Sequence, residues 1–246
     1  MQCVVLAGGL GTRLGKRTLS VPKVLVPVAG EPFAQRQLAL LAAQGFSRIV
    51  LCIGHLGQQV RNFVSDGSRW GIGVEYADEG ENLRGTGGAL RIALSAGLLD
   101  DRFAVVYGDS YLPVDVAPIW AAALESQRPA LMTVCPATDD ADVPNALYED
   151  GSVVLYQKGR PTNGMRHVDY GLSVLRQSVI ADYVEDDVSV DLADVLNQLS
   201  TSGLLAGFEV TERFYEIGSP RGLVDLERFL TDPSHGRPFD PYQVPE

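Results

Sequence analysis

The sequence is poor in residues that build metal and redox centres. It holds three cysteines, Cys3, Cys52 and Cys135, each inside an apolar, β-like run, with no C-x-x-C spacing. An odd count without that spacing excludes a disulfide framework and a cysteine zinc site, and points to small buried hydrophobes. The three histidines, His55, His167 and His235, are far apart and form no H-x-x-x-H pair, which removes the usual imidazole zinc site. No G-x-S-x-G elbow surrounds Ser20, Ser110 or Ser219, so a serine hydrolase is set aside. No apolar run is long enough to span a bilayer. The N-terminus lacks a charged segment followed by an apolar one, and a cytoplasmic protein without membrane partners is expected. Basic residues are also scarce, 20 Lys and Arg against 31 Asp and Glu, for a net charge of -11. That balance disfavours non-specific nucleic-acid binding.

Against this acidic background, the first thirty residues stand out. A short strand, Cys3–Ala7, runs into Gly8-Gly9-Leu10-Gly11-Thr12-Arg13-Leu14-Gly15. Arg13, Lys16, Arg17 and Lys23 follow with no acidic residue among them until Glu31. Glycines directly after a strand let backbone N–H groups approach phosphate oxygens. A dinucleotide fingerprint is ruled out because Leu14 occupies its third glycine position. A P-loop is ruled out because Gly11 to Gly15 is one residue too short and Arg17 stands where Ser or Thr is required.

Apolar runs alternate with helical stripes through the first 110 residues. Strands are expected at Val4–Ala7, Arg48–Ile53, Gly73–Ala77 and Phe103–Tyr107. Helices are expected at Glu31–Gln44, His55–Val64 and Gly85–Ala96. This rhythm predicts an α/β fold with a doubly wound, mainly parallel, Rossmann-like sheet. Ligands would bind beyond the carboxyl ends of its strands. The second half is richer in short strands (145–148, 152–156 and 168–176), with an Asp150-Gly151 turn. Helices are expected near 118–126, 192–199 and 221–230. One domain is expected over 1–246, with halves at 1–115 and 116–230 and an extended proline-rich tail at 231–246. The acidic run Glu185-Asp186-Asp187 reads as a solvated loop.

Leu6-Ala7-Gly8-Gly9-Leu10-Gly11-Thr12-Arg13-Leu14 and Pro22-Lys23-Val24-Leu25-Val26-Pro27-Val28-Ala29-Gly30-Glu31-Pro32 together resemble the sugar-phosphate nucleotidyltransferases. The resemblance covers about residues 2–230 and is strongest in the first 110. It implies the nucleotide-diphospho-sugar transferase fold, with a small β-rich acceptor-binding part in the second half. The substrates it implies are an NTP and a sugar 1-phosphate. It assigns nucleotide contacts to Leu6, Ala7, Gly8, Gly9, Gly11, Thr12, Arg13, Glu79, Gly85 and Thr86. Arg13 and Lys23 would act on the phosphates, and Asp109, after the fourth strand, would hold Mg²⁺. Glu216, in Phe214-Tyr215-Glu216-Ile217-Gly218-Ser219-Pro220, takes the place of the family's second metal aspartate.

Gly87, Asn145, Lys158, Asp169 and Gly171 fall at acceptor positions. Tyr107 stands where the family usually has Asn, and Gln157-Lys158-Gly159 replaces E-K-P. Arg84 reads equally as a charge near the acceptor phosphate or as a solvated residue at a helix start. The short length is similar to heptose or mannose 1-phosphate guanylyltransferases and N-acetylmuramate 1-phosphate uridylyltransferases, with GTP and a manno-configured acceptor favoured. A cytidylyl- or uridylyltransferase for another sugar 1-phosphate or a phospho-alcohol such as phosphocholine is the alternative, with Tyr148, Tyr170 and Trp70 as a cation cage. The resemblance leaves a homodimer open.

Overall fold

The computed structural model describes residues 1–138 and 143–232, without the side chains of Lys16 and Arg17. The tail expected after 232 and those two cations therefore lie outside the described residues.

The chain begins with β1 (Gln2–Leu6), and the glycine-rich segment passes into a kinked 3-10 turn at Thr12–Thr18. A second 3-10 turn at Lys23–Leu25 precedes a hairpin of β2 (Pro27–Val28) and β3 (Glu31–Pro32). Next come α1 (Phe33–Ala43), β4 (Arg48–Ile53), α2 (Gly57–Val64), β5 (Gly73–Asp78), α3 (Gly85–Ser95) and β6 (Arg102–Tyr107). A two-residue strand, β7 (Ser110–Tyr111), leads to α4 (Val116–Glu125) and β8 (Ala130–Pro136). The remaining elements are β9 (Ala146–Glu149), β10 (Ser152–Tyr156), β11 (His167–Arg176), α5 (Gln177–Tyr183), α6 (Leu192–Thr201), β12 (Leu205–Glu209), β13 (Tyr215–Glu216) and α7 (Pro220–Thr231).

Among the described residues, nine strands form one sheet in the order β5-β4-β1-β6-β11-β8-β12-β10-β9. The first four run parallel, as the βαβ rhythm demands. Then β11 is antiparallel to both β6 and β8, while β12 returns parallel to β8. The short strands of the second half thus extend the same sheet.

Successive residues of β1 face opposite sides. Cys3 and Val5 pack with Leu38 and Leu41 of α1 and Ile119 of α4. Val4 packs with Leu90 of α3, Ile180 of α5 and Leu196 of α6. Helices therefore cover both faces, which accounts for strands that read as continuous apolar runs. All three cysteines are buried, as the sequence implied. A third, smaller apolar cluster joins Leu14 of the glycine-rich segment to Phe33, Ile217 and Leu226. It fastens the two ends of the described chain together beside the sheet. No helix among the described residues is long and apolar enough to cross a membrane.

Two helix starts differ from expectation for local reasons, and one helix was not expected. The first helix starts at Phe33, because Pro32 is extended (ψ 137°) and belongs to the β2–β3 hairpin, which turns at Ala29 and Gly30 with positive φ. The second starts at Gly57, because Leu56 is left-handed (φ 57°). The seven-residue α5 went unread, being only about two turns long.

Candidate active site

A cavity of about 230 Å³ opens at the carboxyl ends of β1, β4 and β6. Its walls come from Leu6–Gly9, Gly11, Lys23, Glu79, Gly85, Thr86 and Tyr107–Asp109. Most of the expected nucleotide residues are therefore brought together. The exceptions, Thr12 and Arg13, are exposed on the 3-10 turn just beyond the cavity.

Glu79 is half-buried in this wall. Its Oε2 accepts the Arg84 N–H at 2.8 Å, and Oε1 lies against the loop, where a methyl on Gly8 would come within 2.6 Å of it. The glycine there makes room for a carboxylate. Burial raises the Glu79 carboxyl above its ordinary value, opposed by the Arg84 N–H and charge. Cys52 also lines the cavity, but burial pushes its thiol far up, and a protonated thiol is a poor nucleophile.

Asp109 stands one glycine after β6 and caps no helix, because β7 comes next. Its carboxylate forms an ion pair with Lys23; the side chains are 23% and 13% exposed, respectively, so the pair is largely withdrawn from water. Gln37, buried on α1, supports this turn from beneath: Nε2 donates to the carbonyls of Tyr107 (2.9 Å) and Ser110 (2.8 Å). Sequence reasoning missed Gln37. Its only signal is a polar residue amid the apolar stripe of α1.

The last piece comes from far along the chain. β13 pairs with β7, setting Glu216 opposite Ser110, and Ile217 N–H donates to Asp109 O at 2.9 Å. Glu216 turns toward the start of α7, accepting from the Gly218 N–H and the Ser219 hydroxyl. Ser219 caps α7 through the Gly222 N–H at 3.0 Å, with Pro220 in its first turn.

Gly218 marks the convergence. A methyl group there would lie 2.9 Å from both Arg13 Nη2 and Lys23 Nζ, and 2.5 Å from Glu216 Oε2. Two cations and two carboxylates thus meet at one place. Among the described residues, no group of three or more His, Cys, Asp or Glu could hold a metal on protein ligands alone. The hard carboxylate oxygens of Asp109 and Glu216 fit Mg²⁺, which commonly takes one or two carboxylates and completes its shell with phosphate and water oxygens.

Next to this cavity, Asn145 Oδ1 accepts the Asp169 N–H at 2.8 Å, and Asp169 accepts from the Gly171 N–H (2.9 Å) and the Tyr156 hydroxyl (3.2 Å). Burial raises the Asp169 carboxyl despite those bonds and the Lys158 charge. Tyr107 links the two regions. Burial pushes its hydroxyl well above 10, and the charges of Asp169, Asp191 and Asp109 push it the same way. Lys158 binds Asp191 at 2.7 Å.

Gly87 is placed otherwise. It is buried, lies off the cavity lining, and gives its N–H to Val190 O at 2.9 Å. Arg84 pairs with Asp187 (2.6 Å), and Asp186 holds Arg91 and Ser95. The acidic run is therefore a paired edge over α3, although its carboxylates remain largely exposed.

The aromatic cage does not assemble. Tyr170 is buried against Phe214, Tyr148 packs on His167, and Trp70 packs on Phe63. Among the described residues, no ring contact joins any two of the three.

A profile of the MobA-like NTP transferase domain matches residues 3–178. The chain is 29% identical over 226 residues to N-acetylmuramate alpha-1-phosphate uridylyltransferase of Neisseria meningitidis serogroup B, covering 89% of this chain and 94% of that protein. It is 23% identical over 223 residues to D-glycero-alpha-D-manno-heptose 1-phosphate guanylyltransferase of Aneurinibacillus thermoaerophilus, with the same coverages. Some curated relatives are longer. The chain spans 56% of a UTP--glucose-1-phosphate uridylyltransferase of Synechocystis sp. and 33% of a mannose-1-phosphate guanylyltransferase of Mycobacterium tuberculosis. Among solved structures, HddC of Yersinia pseudotuberculosis superposes with a TM-score of 0.78 at 27% identity, over 94% of this chain and 99% of that one. A second HddC structure, complexed with GMP-PN, gives a TM-score of 0.75 at 28% identity, over 91% and 96%.

Proposed function

Because the chain belongs to the MobA-like NTP transferase domain family, we propose that it transfers a nucleotidyl group from an NTP to a sugar 1-phosphate. The observation that carries this reading is the meeting of Arg13, Lys23, Asp109 and Glu216 around Gly218, at the mouth of the Gly8–Gly11 cavity.

In the reaction, an oxygen of the acceptor phosphate attacks the α-phosphorus of the NTP. The α–β bridging bond breaks, and pyrophosphate leaves with the bridging oxygen. A phosphate monoester is already anionic at neutral pH, so no general base is required. The work left to the protein is positioning and charge stabilisation. The Arg13 guanidinium, on an exposed turn, suits the forked oxygens of the β- and γ-phosphates. Lys23 supplies a point charge where the attacking and α-phosphates crowd together. Its ion pair with Asp109 keeps the ammonium at the cavity wall until phosphate arrives. Mg²⁺, held by Asp109 and Glu216, would neutralise phosphate charge as pyrophosphate departs.

The base preference is proposed as guanine. Glu79 presents a half-buried carboxylate acceptor, and guanine offers two adjacent donors, N1–H and N2–H₂, where uracil offers only N3–H. The relatives named heptose 1-phosphate guanylyltransferase and the HddC complex with GMP-PN support the same lean, with a manno-configured acceptor. UTP is the second reading, favoured by the 29% identity to the uridylyltransferase.

A matrix of four NTPs against sugar 1-phosphates, with Mg²⁺ and pyrophosphate release as readout, tests both levels. GTP with mannose or manno-heptose 1-phosphate should lead. Faster turnover with UTP would overturn the base assignment, and no turnover with any pair would overturn the reaction.

A further inference from the structure

We infer that Asp191 is a positioning residue that ties the nucleotide loop to the acceptor lysine, holding Lys158 in register with Thr86. The inference rests on the reading of Lys158 as the acceptor-phosphate contact.

Asp191 is the N-cap of α6, and capping alone requires only Oδ1, which accepts the Ala193 N–H at 3.0 Å. The side chain does more than that. Oδ1 also accepts the Thr86 hydroxyl at 2.8 Å, and Oδ2 accepts from Lys158 Nζ at 2.7 Å. Thr86 lines the cavity assigned to the nucleotide. Its hydroxyl oxygen accepts the Leu192 N–H at 2.7 Å, so its proton is directed at Asp191. Neither end can rotate freely.

The backbone reinforces this junction. Val190 N–H donates to Arg84 O at 2.9 Å, and Val190 O accepts from Gly87 at 2.9 Å and Gly88 at 3.3 Å. The segment before α6 is therefore stitched onto the residues that open α3. Lys158, which follows β10, is drawn to that seam by Asp191 alone among its described ion-pair partners. An ammonium has three N–H donors; one goes to Asp191, and two remain to face an acceptor phosphate. Burial works to raise the Asp191 carboxyl, and the bonds from Lys158, Ala193 and Thr86 outweigh it and hold it below its usual value. The carboxylate is therefore charged at neutral pH.

The Lys158–Asp191 pair is 56% and 40% exposed, so it adds little to stability. What it provides is orientation, and small misplacements of a substrate-holding group cost rate disproportionately. Asp191→Asn removes the negative charge that faces Lys158 but keeps a good N-cap and an acceptor for Thr86.

The test is a double-mutant cycle on steady-state kinetics, using mannose 1-phosphate, or whichever sugar 1-phosphate of the substrate matrix turns over fastest. Asp191→Asn should raise the KM for that acceptor by about tenfold and leave the KM for the NTP and the thermal midpoint almost unchanged. In a Lys158→Met background, Asp191→Asn should add nothing. Multiplying effects in the double variant, or an unchanged acceptor KM in Asp191→Asn while Lys158→Met raises it, would overturn the role of Asp191. An unchanged acceptor KM in Lys158→Met would instead overturn the reading of Lys158, and the inference with it.

Discussion

Ile217 donates its N–H to the carbonyl oxygen of Asp109 at 2.9 Å. That bond joins the end of a central parallel strand to a segment more than a hundred residues later. Together with the β7–β13 pairing, it sets Glu216 beside the Asp109 turn. Ile217 is fully buried with Leu14 and Phe33. The apolar side chain of Ile217 thus fastens the joint, while the carboxylate of its neighbour Glu216 stays at the start of α7, which links core packing to the charged cluster at Gly218.

Gly218 is where that cluster can be blocked with little damage to the fold. Alanine there displaces the ends of flexible charged side chains, with no backbone among the nearest atoms. Gly218→Ala should lower turnover by about a hundredfold while the thermal midpoint stays within a few degrees. Turnover within twofold of wild type would show that the four charges do not act together.

Lys23 pairs with Asp109 but is read as acting on the reacting phosphates. Lys23→Met should therefore cost about a hundredfold or more in kcat, with a much smaller change in NTP binding measured by calorimetry. The opposite split would move Lys23 to the triphosphate.

Gln37→Leu leaves the Tyr107 and Ser110 carbonyls without their donor. Unsatisfied buried groups of this kind cost about 1–3 kcal/mol, readable as a lower urea midpoint at constant slope. Because the same carbonyls flank Asp109, turnover should fall too. A stable variant with full activity would remove Gln37 from the support of the site.

Asp169 sets a pH dependence of known sign. Burial raises its folded-state pKa, so the native state holds its proton more tightly than the unfolded state does. As pH climbs from the ordinary aspartate value of about 3.9 through the raised one, this group therefore lowers stability. Asp169→Asn should become more stable relative to wild type across that rise, by paired thermal melts. A difference that is flat with pH would contradict the buried-charge account.

Glu79→Gln replaces a charged acceptor with an amide whose NH₂ repels guanine donors. Losing a charge-assisted bond is worth about 10- to 100-fold, so the preference for GTP over UTP should shrink by that order in kcat/KM. An unchanged preference would leave the base read by main-chain groups.

The parallel half of the sheet and the glycine-rich cavity were legible in the sequence because their signals are local. Apolar runs end in Gly8 and in Gly108-Asp109, and strand ends are where ligands gather. Lys23 and Asp109 were legible through a signature spacing and a strand terminus. Gln37 and Asp191 were not, because their roles arise from partners 70 and 105 residues away, a separation that no periodicity encodes. The antiparallel turn of β11 was hidden for a similar reason. A strand buried on both faces looks alike in either direction, and only its partners β6 and β8 decide.

The most direct measurement of the central claim is a ³¹P spectrum of the protein incubated with GTP, mannose 1-phosphate and Mg²⁺, beside the Asp109→Asn variant. The account predicts paired resonances of a sugar–nucleoside diphosphate and an equal amount of pyrophosphate in the wild type, with neither in the variant. Hydrolysis to free GMP or GDP without a sugar-linked product, or an equal yield from the variant, would contradict it.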